Sequence, residues 1–182
     1  MRQLALFLVM VVLMAAVARA DQNDPALDRL FAELQRPDAA ASADGLERQI
    51  WERWLDSGDA ELNERLETGI IAMNAGYLPA AEQVFSEVVA AAPDFAEGWN
   101  KRATVRFLRG DHAGSIADCA RVLALEPRHF GALSGLGLIH ATLEDDEEAL
   151  RWFERALAVN PHMPGVKENI SILRERLRGK AI

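Results

Sequence analysis

Pro93, Pro127 and Pro161 stand 34 residues apart, and the text around them recurs with them. "VVAAAPDFAEGW", "VLALEPRHFGAL" and "ALAVNPHMPGVK" are the same junction written three times. Other positions keep the interval. Ala81, Ser115 and Ala149 correspond, as do Phe85, Cys119 and Phe153, and Val88, Val122 and Ala156. Gly76 and Gly110 share it, with Glu144 where a third glycine would fall. Unrelated helices have no reason to keep one length, so fixed-period self-similarity points to a stacked repeat array. Proline lacks the N–H that a helix needs and biases the preceding residue away from helix, so each junction ends one helix and opens a turn. Between junctions the apolar residues recur at helical spacing, and no run alternates with period two. The expectation is an all-α chain with no strands.

The residues carry a resemblance. A 34-residue unit with an aromatic or leucine at position 4, small residues at 8 and 20, an aromatic at 24 and proline at 32 resembles the tetratricopeptide repeat. Residues 62–95 supply Gly69, Gly76, Ala81, Phe85, Val88 and Pro93, with Arg65 at position 4. Residues 96–129 supply Trp99, Ala103, Gly110, Asp111, Ser115, Val122 and Pro127. Residues 130–163 supply Leu133, Leu136, Gly137, Ala149, Phe153, Ala156 and Pro161. The implied fold is a right-handed α-solenoid of helix hairpins, in which each unit buries its apolar face only by stacking on a neighbour.

The flanks complete the array. Residues 164–182 carry Val166, Ile170, Leu173 and Leu177 as one apolar stripe, with charges opposite, and read as a C-terminal capping helix. Residues 21–61 read as an N-terminal helical pair. One helix shows Leu27, Leu30, Phe31 and Leu34, with Pro37 as its stop; the other shows Leu46, Ile50, Trp51, Trp54 and Leu55. This pair is expected to cap the other end of the array, giving nine helices after the leader.

The leader is residues 1–20. Basic Arg2, an apolar run from Leu4 to Val17 and Ala18-Arg19-Ala20 make a signal peptide with a cut expected after Ala20. The alternative is an uncleaved membrane anchor, although the run is shorter than the roughly 20 residues that span a bilayer. Cys119 is the single cysteine, so no internal disulfide can form. This suits a bacterial periplasm better than a disulfide-rich extracellular space. The overall likeness is to small periplasmic tetratricopeptide-repeat proteins of Gram-negative bacteria.

The formal charge of −8 argues against nucleic acid, which requires a basic face. His112, His129, His140 and His162 read as turn and groove-edge residues, and no HExxH or CxxC spacing occurs. Cys119 replaces an aromatic and is expected inside, as a small hydrophobe. The acidic run 144–149 suits a helix N-terminus and the basic run 174–180 a helix C-terminus. No convergent titratable set points to an enzyme, a cofactor, a metal or a small-molecule substrate.

The expected partner is a protein or peptide. The resemblance implies a concave surface lined by positions 2, 5, 9, 12 and 13 of the first helix in each unit. The first unit then presents Asn63, Leu66, Ile70, Met73 and Asn74; the second Glu97, Asn100, Thr104, Phe107 and Leu108; the third Gly131, Ser134, Leu138, Ala141 and Thr142. Asn100 stands out, since an amide can bond a peptide backbone in both directions. Family members that clamp a chaperone's C-terminal carboxylate use lysine, asparagine and arginine at places that here hold Leu66, Ile70, Lys101, Gly131 and Gly135. Only Lys101 could meet a carboxylate, so that clamp is absent. Apolar anchors of an extended peptide or an amphipathic helix suit the remaining groove. Arg102 and Arg106 stand where the pattern has leucine and tyrosine, and their destination is open at this point.

Overall fold

A computed structural model describes residues 24–36 and 38–180. The leader with its expected cleavage site, and Pro37 as a helix stop, lie outside the described residues. Nine α-helices and one short 3₁₀ turn (Ala39–Ala41) account for most of what is described, with no strand among the described residues. The helices are α1 (Pro25–Leu34), α2 (Ala43–Leu55), α3 (Ala60–Asn74), α4 (Leu78–Ala91), α5 (Ala96–Leu108), α6 (His112–Leu125), α7 (Phe130–Thr142), α8 (Asp146–Val159) and α9 (Pro164–Lys180).

From α3 onward each helix packs on the next, and α5 also touches α3 and α7. This is the right-handed solenoid that the repeat implied, with α3, α5 and α7 as the first helices of three hairpins. Polar caps set the starts. Asp59 accepts from the N–H groups of Glu61 and Leu62, Asp111 from Gly114 and Asp145 from Glu148. The turns within hairpins need left-handed backbone: Gly76 and Gly110 both have φ of +81°, and Glu144 accepts φ of +60° at the third.

The hairpins close through positions 8 and 24. In the first and third, glycine meets phenylalanine so closely that a Cβ on Gly69 would lie 2.4 Å from Phe85 Cε1, and one on Gly137 2.6 Å from Phe153 Cδ1. The second hairpin makes the reciprocal choice, Ala103 with the smaller Cys119. Ser115 at position 20 donates its Oγ to the Ala103 carbonyl at 2.7 Å, so this buried hydroxyl is satisfied. Burial, and the charge of Asp118 beside it, push the Cys119 thiol up to about 12.

α9 closes the C-terminal end. Val166, Ile170 and Leu173 pack on Leu133, Phe153 and Ala156. Buried Asp146, from the acidic run, holds α9 through Arg176 at 2.8 Å and Lys180 at 2.7 Å.

The helical pair α1–α2 departs from expectation. It does not cover the open side of α3, where a preceding repeat would stack. It lies instead across the first-helix side of the second and third hairpins. Leu27, Leu30, Phe31, Leu34, Leu46, Ile50 and Trp54 share one core with Phe130, joined by Val159 and Met163. Gln35 reaches the Ala158 and Val159 carbonyls, Glu47 accepts from Asn160 Nδ2 at 2.8 Å, and Arg128 bonds Asp28 at 2.7 Å. The physical reason is where the ring surface lies. A strip of Phe31, Trp51 and Trp54 finds an aromatic platform at His129 and Phe130, whereas the open side of α3 offers Glu64, Arg65 and Thr68.

Candidate functional site

The concave side is built by α3, α5 and α7 and is partly filled by α2. At its centre Glu97 is fully buried. Its carboxylate meets Lys101 Nζ at 2.8 Å and His129 Nε2 at 3.0 Å, and accepts from Asn100 Nδ2 at 3.1 Å. The His129 Nδ1 accepts the Ala132 N–H at 3.1 Å, so Nε2 carries the ring proton and donates to Glu97. The Trp54 indole covers the imidazole, stacked at 4.1 Å with 12° between planes. Trp51 stands edge-on to Trp54 and Phe130, and Lys101 Nζ lies 5.5 Å from its ring centre. Burial pushes the Glu97 carboxyl up, but the charge of Lys101 and the hydrogen bond from His129 outweigh it and hold it below its ordinary value.

This arrangement corrects several expected groove residues. Glu97 and Asn100 are buried, and the Asn100 amide nitrogen that was to bond a peptide bonds Glu97 instead, although Asn100 still lines the cleft between α5 and α7. Lys101 does hold a carboxylate, an internal one. Leu66 is largely buried and shows only its edge to a cleft between α2 and α3. The Asn63 amide is spent locally: its Oδ1 accepts from the Ser57 N–H and hydroxyl, and its Nδ2 donates to Asp56. Gly131 sits under Trp51, where a Cβ would come within 2.7 Å of Trp51 Cη2. The reading of His129 as a turn or groove-edge residue fails for the same reason.

Two clefts stay open on either side of α2. One runs between α5 and α7, lined by Thr104, Phe107, Ser134 and Leu138 and deepening to Ala103 and Cys119. Leu138 in its lining is 43 % exposed, whereas Leu108, 54 % exposed at the end of α5, is not part of that lining. The Thr104 and Ser134 hydroxyls donate to helix carbonyls of Asn100 and Gly131, which leaves their oxygens to accept. The other cleft lies between α2 and α3, with Leu55, Leu66 and Ile70 between Glu52 and Glu67. Met73 packs into the first hairpin's core, and Asn74 is exposed at the end of α3.

Arg102 and Arg106 do not reach the groove. Arg102 grips Asp118 of α6 with two bonds of 2.8 Å, and Arg106 bridges Asp118 at 2.9 Å and Glu82 of α4 at 3.0 Å. Arg109 also bonds Glu82. Burial raises Glu82, but the hydrogen bonds and charges of these two arginines outweigh it and hold its carboxyl below the ordinary value. The pair of arginines cements α4, α5 and α6.

His129 is the residue whose site role the sequence reading missed. The signal was in the register. His129 occupies position 34, which holds Phe95 and Met163 in the neighbouring units, both packed inward.

No helix among the described residues is long and apolar enough to cross a membrane. Comparison with known proteins agrees with the geometry. Family models described as tetratricopeptide repeat match residues 130–163 and 66–127. A TPR repeat-containing protein of Rhizobium etli is 37% identical over 153 residues, covering 84% of this chain and 75% of that protein. Human tetratricopeptide repeat protein 36 is 31% identical over 134 residues, covering 71% of this chain and 70% of that protein. Among solved structures, the first TPR of Spaghetti (RPAP3) bound to the HSP90 peptide SRMEEVD superposes with a TM-score of 0.63 at 22% identity, covering 66% of this chain and 96% of that one. With its repeat register, its hairpin packing and a relative matched over most of both lengths, the chain belongs to the tetratricopeptide repeat family.

Proposed function

We propose that this protein is an exported, non-enzymatic scaffold that binds a peptide or helix of a cell-envelope partner on its concave side, in the periplasm. The observation that carries the reading is the open cleft between α5 and α7. It joins exposed Leu138 to Phe107 and to two hydroxyls with free acceptor capacity. That is the chemistry of a peptide site, with apolar anchors for affinity and a few polar groups for orientation. Solved neighbours of the same fold hold peptides, including HSP90 and HSP70 peptides, which supports a protein-interaction role at the level of the fold. A carboxylate-ended tail is not the expected ligand here, because Lys101 is committed to Glu97.

The test is a crosslinking pull-down from the native envelope, with wild type beside Thr104→Asp/Leu138→Asp. Both side chains are solvent-exposed, so the variant is expected to keep the wild-type helical spectrum. Loss of a captured partner by the folded variant supports the cleft; identical capture by both overturns it. N-terminal sequencing of the cellular protein checks export: a start at Asp21 is expected, and a retained Met1 refutes cleavage.

A further inference from the structure

The two ends of the solenoid differ in charge and share an apolar centre. Ile71 stands at position 10 of its unit, as do Val105 and Ile139. Those two are 0% and 1% exposed because the preceding hairpin covers them, while Ile71 is 62% exposed. The pair α1–α2, which would be its natural cover, lies on the other repeats. Ile71 therefore sits on an open helix face with Glu64 and Thr68 in the same stripe and Glu67 beside it. Among the described residues neither Glu64 nor Glu67 has a cationic partner, whereas neighbouring Glu61 is paired with Arg65.

The other end carries the complement. Along α9 a cleft of about 390 Å³ is lined by Ile170 and Leu177 at its floor and by Lys167, Arg174 and Arg178 at its rim. Arg174 is paired with Glu154; among the described residues Lys167 and Arg178 have no acidic partner. In repeat register, Lys167, Ser171 and Arg174 occupy positions 4, 8 and 11 of the next unit. In complete units this is the face on which the second helix of the hairpin packs: Gly69 and Gly137, both at position 8, meet Phe85 and Phe153 of that helix. Among the described residues no second helix packs on this face of α9.

We propose that this protein associates with second copies of itself head to tail, the α3 face of one copy docking on the α9 cleft of the next. Ile71 covers the Ile170–Leu177 floor, and Glu64 and Glu67 meet Lys167 and Arg178. Two carboxylates face two cations, so the contact is matched in charge as well as in apolar surface. The contact is heterologous, so every assembly leaves one α3 face and one α9 cleft free at its two ends and extends as a series of chains. It leaves the α5–α7 cleft uncovered, so it stands apart from the peptide-binding reading.

Sedimentation velocity of the purified chain tests it. Wild type is expected to form a concentration-dependent series of species that shifts toward monomer as salt screens the charges. Ile71→Arg removes only the α3 face, and Lys167→Glu/Arg178→Glu removes only the α9 face; each variant alone is expected to be monomeric with unchanged helicity. Mixed in equal amounts, they still offer one intact α9 cleft and one intact α3 face, so a single two-copy species returns. A wild type that stays monomeric at every concentration overturns the proposal. So does an oligomer that either variant leaves intact, or a mixture that stays monomeric.

Discussion

The third hairpin offers a quantitative test of how the repeat packs. Gly137→Ala would place a methyl carbon 2.6 Å from two ring atoms of Phe153, well inside contact distance. Overpacking of a close-fitted core costs about 1–3 kcal/mol. Replacing glycine by alanine within a helix returns roughly 1 kcal/mol. The net loss expected for the single variant is about 0–2 kcal/mol, centred near 1. Phe153→Cys alone removes a fully buried ring and leaves most of its volume empty, a loss of roughly 3 kcal/mol. The double variant writes into the third hairpin the pairing that the second already uses, Ala103 with Cys119. There the methyl no longer meets a ring and fills part of the void, so only about 2 kcal/mol should be lost in total. The two substitutions should therefore couple by roughly 2 kcal/mol. Urea unfolding followed by far-ultraviolet circular dichroism measures all four corners of the cycle. If the losses add within about 0.5 kcal/mol, positions 8 and 24 do not share one space and the packing argument fails.

Two further outcomes follow from the same structure. Glu144 pays for a left-handed backbone that glycine adopts freely, so Glu144→Gly should stabilise the fold by about 1 kcal/mol, read as a higher urea midpoint; an unchanged or lower midpoint refutes the strain. The folded Glu97 carboxyl titrates below its unfolded value, so its contribution is fully present above the unfolded value of about 4.3 and is lost as pH falls through the lower folded one. Stability should then decline on acidification below about pH 4.3, and Glu97→Gln should flatten that limb while lowering stability at neutral pH; an acid limb unchanged by the substitution refutes the assignment.

The repeat was legible because it is enforced residue by residue. Pro93, Pro127 and Pro161 end helices, Gly76 and Gly110 turn the chain, and Ala81, Ser115 and Ala149 let helices close, each for a local reason that the sequence carries in place. The site was less legible because its decisive contacts join residues far apart in the chain. Trp51 and Trp54 announce one apolar face, yet nothing local says that this face will seek His129 and Phe130 rather than the open side of α3. Once α2 lies there, Glu97, Asn100 and Lys101 exchange the solvent-facing roles expected of groove residues for a buried ionic cluster. Thr104, Phe107, Ser134 and Leu138 keep the open position their register implied, with Ser134 and Leu138 also facing Asp44 and Glu47 of α2 across a neighbouring cleft.

The placement of α1 and α2 also bears on how the chain folds. An array in which every hairpin touches only its neighbours can lose its ends one hairpin at a time, since each boundary is as good a place to stop as the next. Here the bond from Arg128 to Asp28 spans 100 residues, that from Asn160 to Glu47 spans 113 and that from Gln35 to Val159 spans 124. Such contacts close loops that contain the first hairpin and much of the rest. They raise the mean sequence separation of native contacts, which slows folding relative to an open array of the same length. They also tie the last hairpin's release to that of the first two helices, so the protein should melt as one cooperative unit rather than fray from its C-terminus.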